Sequence, residues 1–390
     1  MRWIIAGSQS LNSVLRSSTS DLARGIAAGL GRLVPSEEDS VFYFPAPISP
    51  WHYLLKGRDA RFQERKGAWG FSPEKHGENL LQYTPFTLFP AINTSIFRKD
   101  KNLRRSLGWT LPSLRRVIEK AGFMQPDVLI VNNLQYAWLD EIVKPACLVY
   151  RCVDDIRGFE GVPQNLINVE ASLIERCDLC TVLAWRMAEI VMDRGAKEAE
   201  VISLGVDAEH FNPRRARPEP EKLRDIPRPR LLFVGTLNER IDMDWIETLA
   251  RERPDYHLVL VGPLEGGCPA VPDRANIHAL GPRPYDAIPA WMQHCDAGLI
   301  PFRHTPLVES TNPIKLYQYL AAGLPVASRR WLELEKMQAP LHLADDAEGF
   351  VRAVDAALGD KNIVARLAFA RSQSWDAKIT ELRQAIAAVL

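Results

Sequence analysis

The feature that most constrains this chain is an alternation of short apolar runs with amphipathic segments, which stops at a proline-rich stretch and then starts again. In the first series, residues 3–6, 41–44, 128–131, 147–152, 179–183 and 200–202 read as strands, with helical periodicity at 22–33 and 164–176. Interleaving of this kind predicts a parallel sheet covered by helices. Between Phe211 and Arg230, five prolines and many charges interrupt any period, which predicts an exposed linker. The second series has strands at 230–234, 257–261, 277–280, 297–300 and 325–328, and helices at 244–252, 285–293 and 315–322. The expectation is an α/β chain of two Rossmann-like, doubly wound domains whose sheets turn their carboxyl ends toward a cleft. A length of 390 residues agrees with two domains.

Within the second series, residues 312–326 (NPIKLYQYLAAGLPV) carry the sharpest chemical signal. A helix starting after Asn312-Pro313 points free N–H groups at the preceding loop, and Lys315 in its first turn adds a positive charge, a combination suited to a diphosphate. Gln318, three residues on, shares that face and can donate to a hydroxyl or phosphate oxygen. Gly235 and Gly262 directly follow two successive strands, where a missing Cβ lets backbone approach a ligand. A third turn, 281–285, reads GPRPY.

The formal net charge is zero, so nothing global argues for nucleic acid. Locally, residues 51–120 hold 14 Lys or Arg against 6 Asp or Glu. Within them, 96–123 mixes basic with apolar side chains, as suits an anionic membrane surface or a lipid-linked phosphate. The apolar run at 1–7 is too short for a signal peptide core, and no window approaches a membrane span. The expected location is cytoplasmic, at most peripheral on the inner face of a membrane. Cys177 and Cys180 form a CxxC without a second pair, which favours small core residues over a metal site.

The second half resembles the nucleotide-sugar half of GT-B fold glycosyltransferases, through FVGTLNERID from Phe233, LVLVGP from Leu258, IHALGPRPYDAIPAWMQHCDAGLIPF from Ile277 and the Lys315 motif. SLGVDAEHFNP from Ser203 resembles the stretch that precedes the linker in such enzymes. The resemblance implies an acceptor domain at 1–210, a linker at 211–229, a donor domain at 230–370 and a segment 371–390 that crosses back to the first domain near Trp375. It implies that Gly235 and Gly262 lie by the diphosphate, that Arg283 and Tyr285 flank the base above Pro301 and Phe302, and that Asn312, Lys315 and Gln318 hold diphosphate and sugar. The implied donor is a nucleotide diphosphate sugar, a UDP-sugar being favoured, with no further cofactor and no metal. The implied acceptor is a glycan or a lipid-linked saccharide.

Many retaining relatives place two glutamates eight residues apart at this site, whereas here Ser310 and Gln318 occupy those positions and Glu309 is one residue out of register. The Lys-x-x-Gln pairing resembles instead the inverting glucuronosyltransferases of xanthan assembly, so inversion is expected. Inversion calls for a general base, and Asp154 and Asp155, after the strand at 147–152, are the candidates, with Asp155 favoured. Asp242-Met243-Asp244 reads as a helix N-cap rather than a metal motif. The expected function is transfer of a sugar in cell-surface polysaccharide synthesis. The alternatives are a sugar-nucleotide 2-epimerase of the same fold and a non-catalytic nucleotide-sugar-binding regulator.

Overall fold

The computed structural model describes residues 1–13, 17–34, 38–49, 72–88, 104–158, 161–265 and 267–390. They form two compact units, one of residues 1–203 with 375–390 and one of residues 204–374.

The first unit is built on an eight-stranded sheet of order β3-β4-β2-β1-β5-β6-β7-β8. Its strands are β1 (Arg2–Ala6), β2 (Ser40–Phe44), β3 (Glu74–Lys75), β4 (Leu80–Gln82), β5 (Val128–Val131), β6 (Cys147–Cys152), β7 (Leu179–Val182) and β8 (Ala199–Val201). Every pairing is parallel except β3 with β4. The strands read as continuous apolar runs because both faces are covered: Ile4, Phe42 and Leu129 belong to one core cluster, and their neighbours Trp3, Val41 and Val128 to another.

Helix α1 (Ser18–Ala27) starts at a capping box between Ser17 and Ser20. It ends before Gly29 and Gly31, both at positive φ, so it lies earlier than the 22–33 read from periodicity. Helices α2 (Gln164–Arg176) and α3 (Trp185–Asp193) follow β6 and β7. Cys177 and Cys180 are buried free thiols with their sulfurs 3.4 Å apart.

The second unit has a six-stranded, all-parallel sheet of order β11-β10-β9-β12-β13-β14. Its strands are β9 (Arg230–Val234), β10 (His257–Val261), β11 (Ile277–Ala279), β12 (Ala297–Ile300), β13 (Val326–Arg329) and β14 (His342–Ala344). Helices α4 (Met243–Glu252), α5 (Ile314–Ala321), α6 (Ala347–Gly359) and α7 (Ile363–Ser372) accompany it. The stretch 211–229 is exposed over much of its length, as expected of a linker, but it also packs on this unit. Phe211, Leu223 and Ile226 are buried, and Glu219 pairs with Arg230 of β9 at 2.6 Å, so the prolines shape a packed strap of this unit.

Helix α8 (Trp375–Val389) completes the first unit, setting Ile379, Leu382 and Ile386 against Leu22 and Ile26 of α1. One buried ion pair fixes it: Arg383 meets Asp39 at 2.8 Å. Asp39 also accepts from Trp3 at 2.9 Å and Arg32 at 3.1 Å. Burial alone would raise the Asp39 pKa, but the Arg383 and Trp3 hydrogen bonds and the Arg383 charge outweigh it and hold it low. Removing one partner strands the other charge inside the core. Arg383→Ala is therefore expected to lower the unfolding free energy by roughly 3–5 kcal/mol, measured by denaturant titration. A loss within about 0.5 kcal/mol would show that α8 is held without this pair.

Candidate active site

In the second sheet the strand order reverses between β9 and β12, the place where doubly wound sheets open a crevice at their carboxyl edge. The opening is visible in the ladder. Strands β9 and β12 pair only at Leu231 with Ala297 and Leu232 with Gly298. Beyond that point the Tyr319 hydroxyl takes the place of a strand, accepting from the Val234 N–H at 2.9 Å and donating to the Leu232 carbonyl at 3.1 Å. Gly298 makes room for it, since a Cβ there would lie 2.6 Å from the Tyr319 ring.

Tyr319 is fully buried, and through it α5 is locked onto the end of β9. One helical turn earlier, Lys315 then falls over the crevice. Its Nζ lies 4.3 Å from the Phe233 ring centroid and 4.4 Å from that of Phe302. A Cβ on Gly235 would stand 3.1 Å from the same nitrogen. The residue keeps partial solvent access, but its ammonium sits deep among protein atoms, and no carboxylate pairs with it among the described residues. Desolvation, with the nearby positive charge of Arg240, pushes its pKa down to about 7.

Arg240 was not singled out from the sequence. The loop after β9 is stitched to the loop after β12, with the Asp242 N–H donating to Pro301 at 2.8 Å and the Arg303 N–H to the Arg240 carbonyl at 2.7 Å. That places a second cation beside Lys315. The Arg240 Nε is enclosed and has no acceptor.

The glycine turns are sterically obligatory. Gly235 and Gly262 have φ of +143° and +159°. A Cβ on Gly262 would lie 1.9 Å from the Gly235 carbonyl oxygen, so the two turns can pack only as glycines.

Gly235, Gly262, Phe302 and Lys315 thus come together, with Pro301 holding the neighbouring loop. Gln318 lies one turn after Lys315, half-buried, its amide without a partner among the described residues. Asn312 is buried, donating to Glu333 at 3.0 Å while its Oδ1 is enclosed and unsatisfied. Arg283 and Tyr285 make their contacts with other residues. The Arg283 guanidinium lies over Trp291, 5.2 Å from the ring centroid, and Tyr285 stacks on His210 with centroids 4.7 Å apart. One face of Tyr285 is therefore already covered.

Asp242 caps α4 through the Trp245 N–H and pairs with Arg329 at 2.6 Å, which explains the Asp-x-Asp pattern structurally. In the first unit, Asp155 is committed to Arg194 at 2.9 Å and Arg157 at 3.2 Å. A carboxylate so engaged is less free to take a proton; Asp154 lies beside it, half-buried.

Lys315 lends itself to a direct test. Its folded pKa of about 7 is below the ordinary lysine value of 10.5, so folding disfavours the cation. The penalty is full below about pH 7 and is relieved as pH rises toward the unfolded value. Lys315→Met is expected to leave the free protein at least as stable as wild type at pH 6 by thermal unfolding. A marked loss of stability there would make the lysine a structural element instead.

Residues 228–360 match the family model described as glycosyl transferases group 1. TuaH of Bacillus subtilis, named as a teichuronic acid biosynthesis glycosyltransferase, is 26% identical over 225 residues. That match covers 54% of this chain and 56% of the relative, so the chain spans about half the length of the curated protein it matches. Among solved structures, sucrose-phosphate synthase from Thermosynechococcus elongatus aligns with a TM-score of 0.66 at 13% identity, covering 98% of each chain. HepE from Anabaena, in complex with UDP and glucose, aligns at 0.61 with 17% identity over 99% of each chain. The group 1 family is retaining, which overturns the inversion expected from Ser310 and Gln318: absent glutamates at those positions do not by themselves report stereochemistry. Residues 228–360 thus match the group 1 glycosyl transferases, and the chain as a whole has the GT-B fold.

Proposed function

We propose that this protein transfers a sugar from a nucleotide diphosphate donor, a UDP-sugar being favoured, to a glycan or lipid-linked acceptor in cell-surface polysaccharide synthesis. The observation that carries the reading is the carboxylate-free Lys315 ammonium beside Arg240, set behind Gly235 at the β9/β12 crevice. Two cations that meet no anion among the described residues are a receptor for a diphosphate, and they are also what the departing nucleoside diphosphate needs as its charge grows. The α5 N-terminus adds N–H groups to the same end. The name of TuaH and the UDP and glucose bound to HepE support the substrate class.

The acceptor side of the reading rests on a surface of the first unit. Thr87 and Thr110 pair across an antiparallel bridge and turn inward, at 5% and 4% exposure. Their neighbours Leu88 and Leu111 turn outward, at 41% and 52%. Nearby, the helix Leu114–Lys120 buries Leu114, Val117 and Ile118 and exposes Arg115, Arg116 and Lys120. Exposed leucines with basic neighbours suit a bilayer of anionic lipid, where a lipid-linked acceptor resides. Of the basic stretch read from the sequence, residues 96–103 lie outside the described residues. No helix among the described residues is long and apolar enough to cross a membrane.

Two measurements test this reading. In a thermal-shift panel of UDP-, GDP- and ADP-sugars, the UDP-sugar is expected to stabilise the protein most, and Lys315→Met to abolish the shift. Because Lys315 must be charged to hold the donor, UDP-sugar affinity should fall as pH rises through about 7. Donor affinity that is flat in pH and intact in the variant rules the pocket out. Turnover of the UDP-sugar with no acceptor present would redirect the assignment to an epimerase. Separately, the protein is expected to float with vesicles containing phosphatidylglycerol, and Leu88→Ser with Leu111→Ser to reduce flotation; equal flotation of both proteins removes the membrane surface from the proposal.

A further inference from the structure

Of the buried arginines among the described residues, three hold a carboxylate: Arg230 with Glu219 at 2.6 Å, Arg366 with Asp360 at 2.8 Å and Arg383 with Asp39 at 2.8 Å. Arg151, near the end of β6 and only 6% exposed, holds none. Its Nη1 donates to Ser18 Oγ at 3.1 Å and Thr19 Oγ1 at 3.3 Å, both in the first turn of α1. Its Nε and Nη2 have no acceptor among the described residues.

The surroundings are arranged for an anion. Thr19 donates to Asn132 Oδ1 at 3.0 Å, and Asn132 donates through Nδ2 to the Arg151 carbonyl at 3.0 Å, which fixes the hydroxyl and the strand end together. Helix α1, ten residues long, brings its N-terminus to the carboxyl edge of β1, where the strand order of this sheet reverses between β1 and β5. Asp21, in the same helical turn, makes no ion pair with Arg151, and Arg24 is engaged by the Leu11 carbonyl. The Tyr43 phenol stands nearby with its pKa raised by burial, hence neutral. Burial pushes the Arg151 guanidinium down to about 10, which leaves it charged at any physiological pH. A buried, charged, carboxylate-free group is costly to keep unless something else neutralises it.

We propose that Arg151 and the first turn of α1 form an oxyanion site that receives a phosphate or carboxylate borne by the acceptor, so that the acceptor is an acidic or phosphorylated saccharide. This rests on the transferase reading and extends it to substrate class. A guanidinium fork binds either oxyanion in bidentate fashion, and the experiment separates the two.

The test is calorimetric titration of inorganic phosphate, and in a second arm glucuronate, into protein saturated with UDP so that the Lys315 pocket is filled. Glucose serves as the neutral control. Wild type is expected to bind at least one anion and not glucose, and Arg151→Gln to weaken that binding about tenfold or more. Arg151→Lys should fall between them, since an ammonium keeps the charge and loses the fork. Tighter phosphate points to a phosphorylated acceptor, and tighter glucuronate to a uronic acid. The UDP-induced thermal shift, read first in each variant, shows that the fold and the donor pocket are intact, and Arg151→Lys carries the comparison if Arg151→Gln does not fold. Wild type that takes up neither anion, or variants that bind as wild type does, would overturn the proposal. A wild type without a UDP shift would sink the transferase reading instead, and the anion titration is then made on Lys315→Met.

Discussion

The second unit is organised around one hydroxyl. Where β9 and β12 separate, Val234 and Leu232 would be left with unsatisfied backbone groups inside the sheet, and the Tyr319 hydroxyl meets both. That repair fixes the register of α5 on the sheet, and the register places Lys315 between Phe233 and Phe302. The crevice, the desolvated ammonium and the glycine turns that leave it accessible all follow from a gap in a ladder that a side chain fills.

What could be read from the sequence follows the range of each interaction. Lys315, Gly235 and Gly262 were legible because a first-turn lysine and a glycine at a strand end are local signals. Nearly all of the strands were legible too, because parallel strands buried on both faces leave unbroken apolar runs. Arg240 was not, since it reaches the site only through the backbone bridge between Asp242 and Pro301, two loops far apart in sequence. Tyr319 looked like one more apolar position on a helix. The strap at 211–229 is exposed over much of its length, as its prolines and charges suggest, but they mask three buried anchors, Phe211, Leu223 and Ile226. Strands β3, β4 and β14 were not read from the sequence. The ion pairs of Asp155 with Arg157 and Arg194 were likewise invisible, since both partners lie outside the strand-end signal that singled the carboxylate out.

Charge accounting separates scaffold from site more sharply than residue type does. Arg383 bridges α8 to the Asp39 loop, Arg230 ties the strap to β9, and Arg366 anchors α7; each has its carboxylate inside the fold, and each neutral pair belongs to the architecture. Lys315 and Arg151 break this pattern, each at the carboxyl edge of its own sheet and close to the switch in strand order. Leaving a buried cation unpaired is unfavourable to folding, and a sequence selected for stability alone would supply an acid or remove the charge. The simplest physical account is that the missing anions arrive with substrate.

That account also bears on the missing glutamates. With Ser310 and Gln318 at the two positions, neither glutamate of the retaining pattern is present, and the carboxylate that does stand at the start of α5, Glu333, accepts from Asn312 at 3.0 Å. Glu309, the nearest acid in sequence, is drawn to His304 at 2.5 Å. On the proposed reading, stabilisation of the leaving group falls on Lys315, Arg240 and the helix N-terminus. A cation whose pKa lies near 7 is then a working constraint: the desolvation that readies Lys315 for a diphosphate also brings it close to losing its proton. Bound phosphate restores the charged form, so the donor completes the electrostatics of the pocket that receives it.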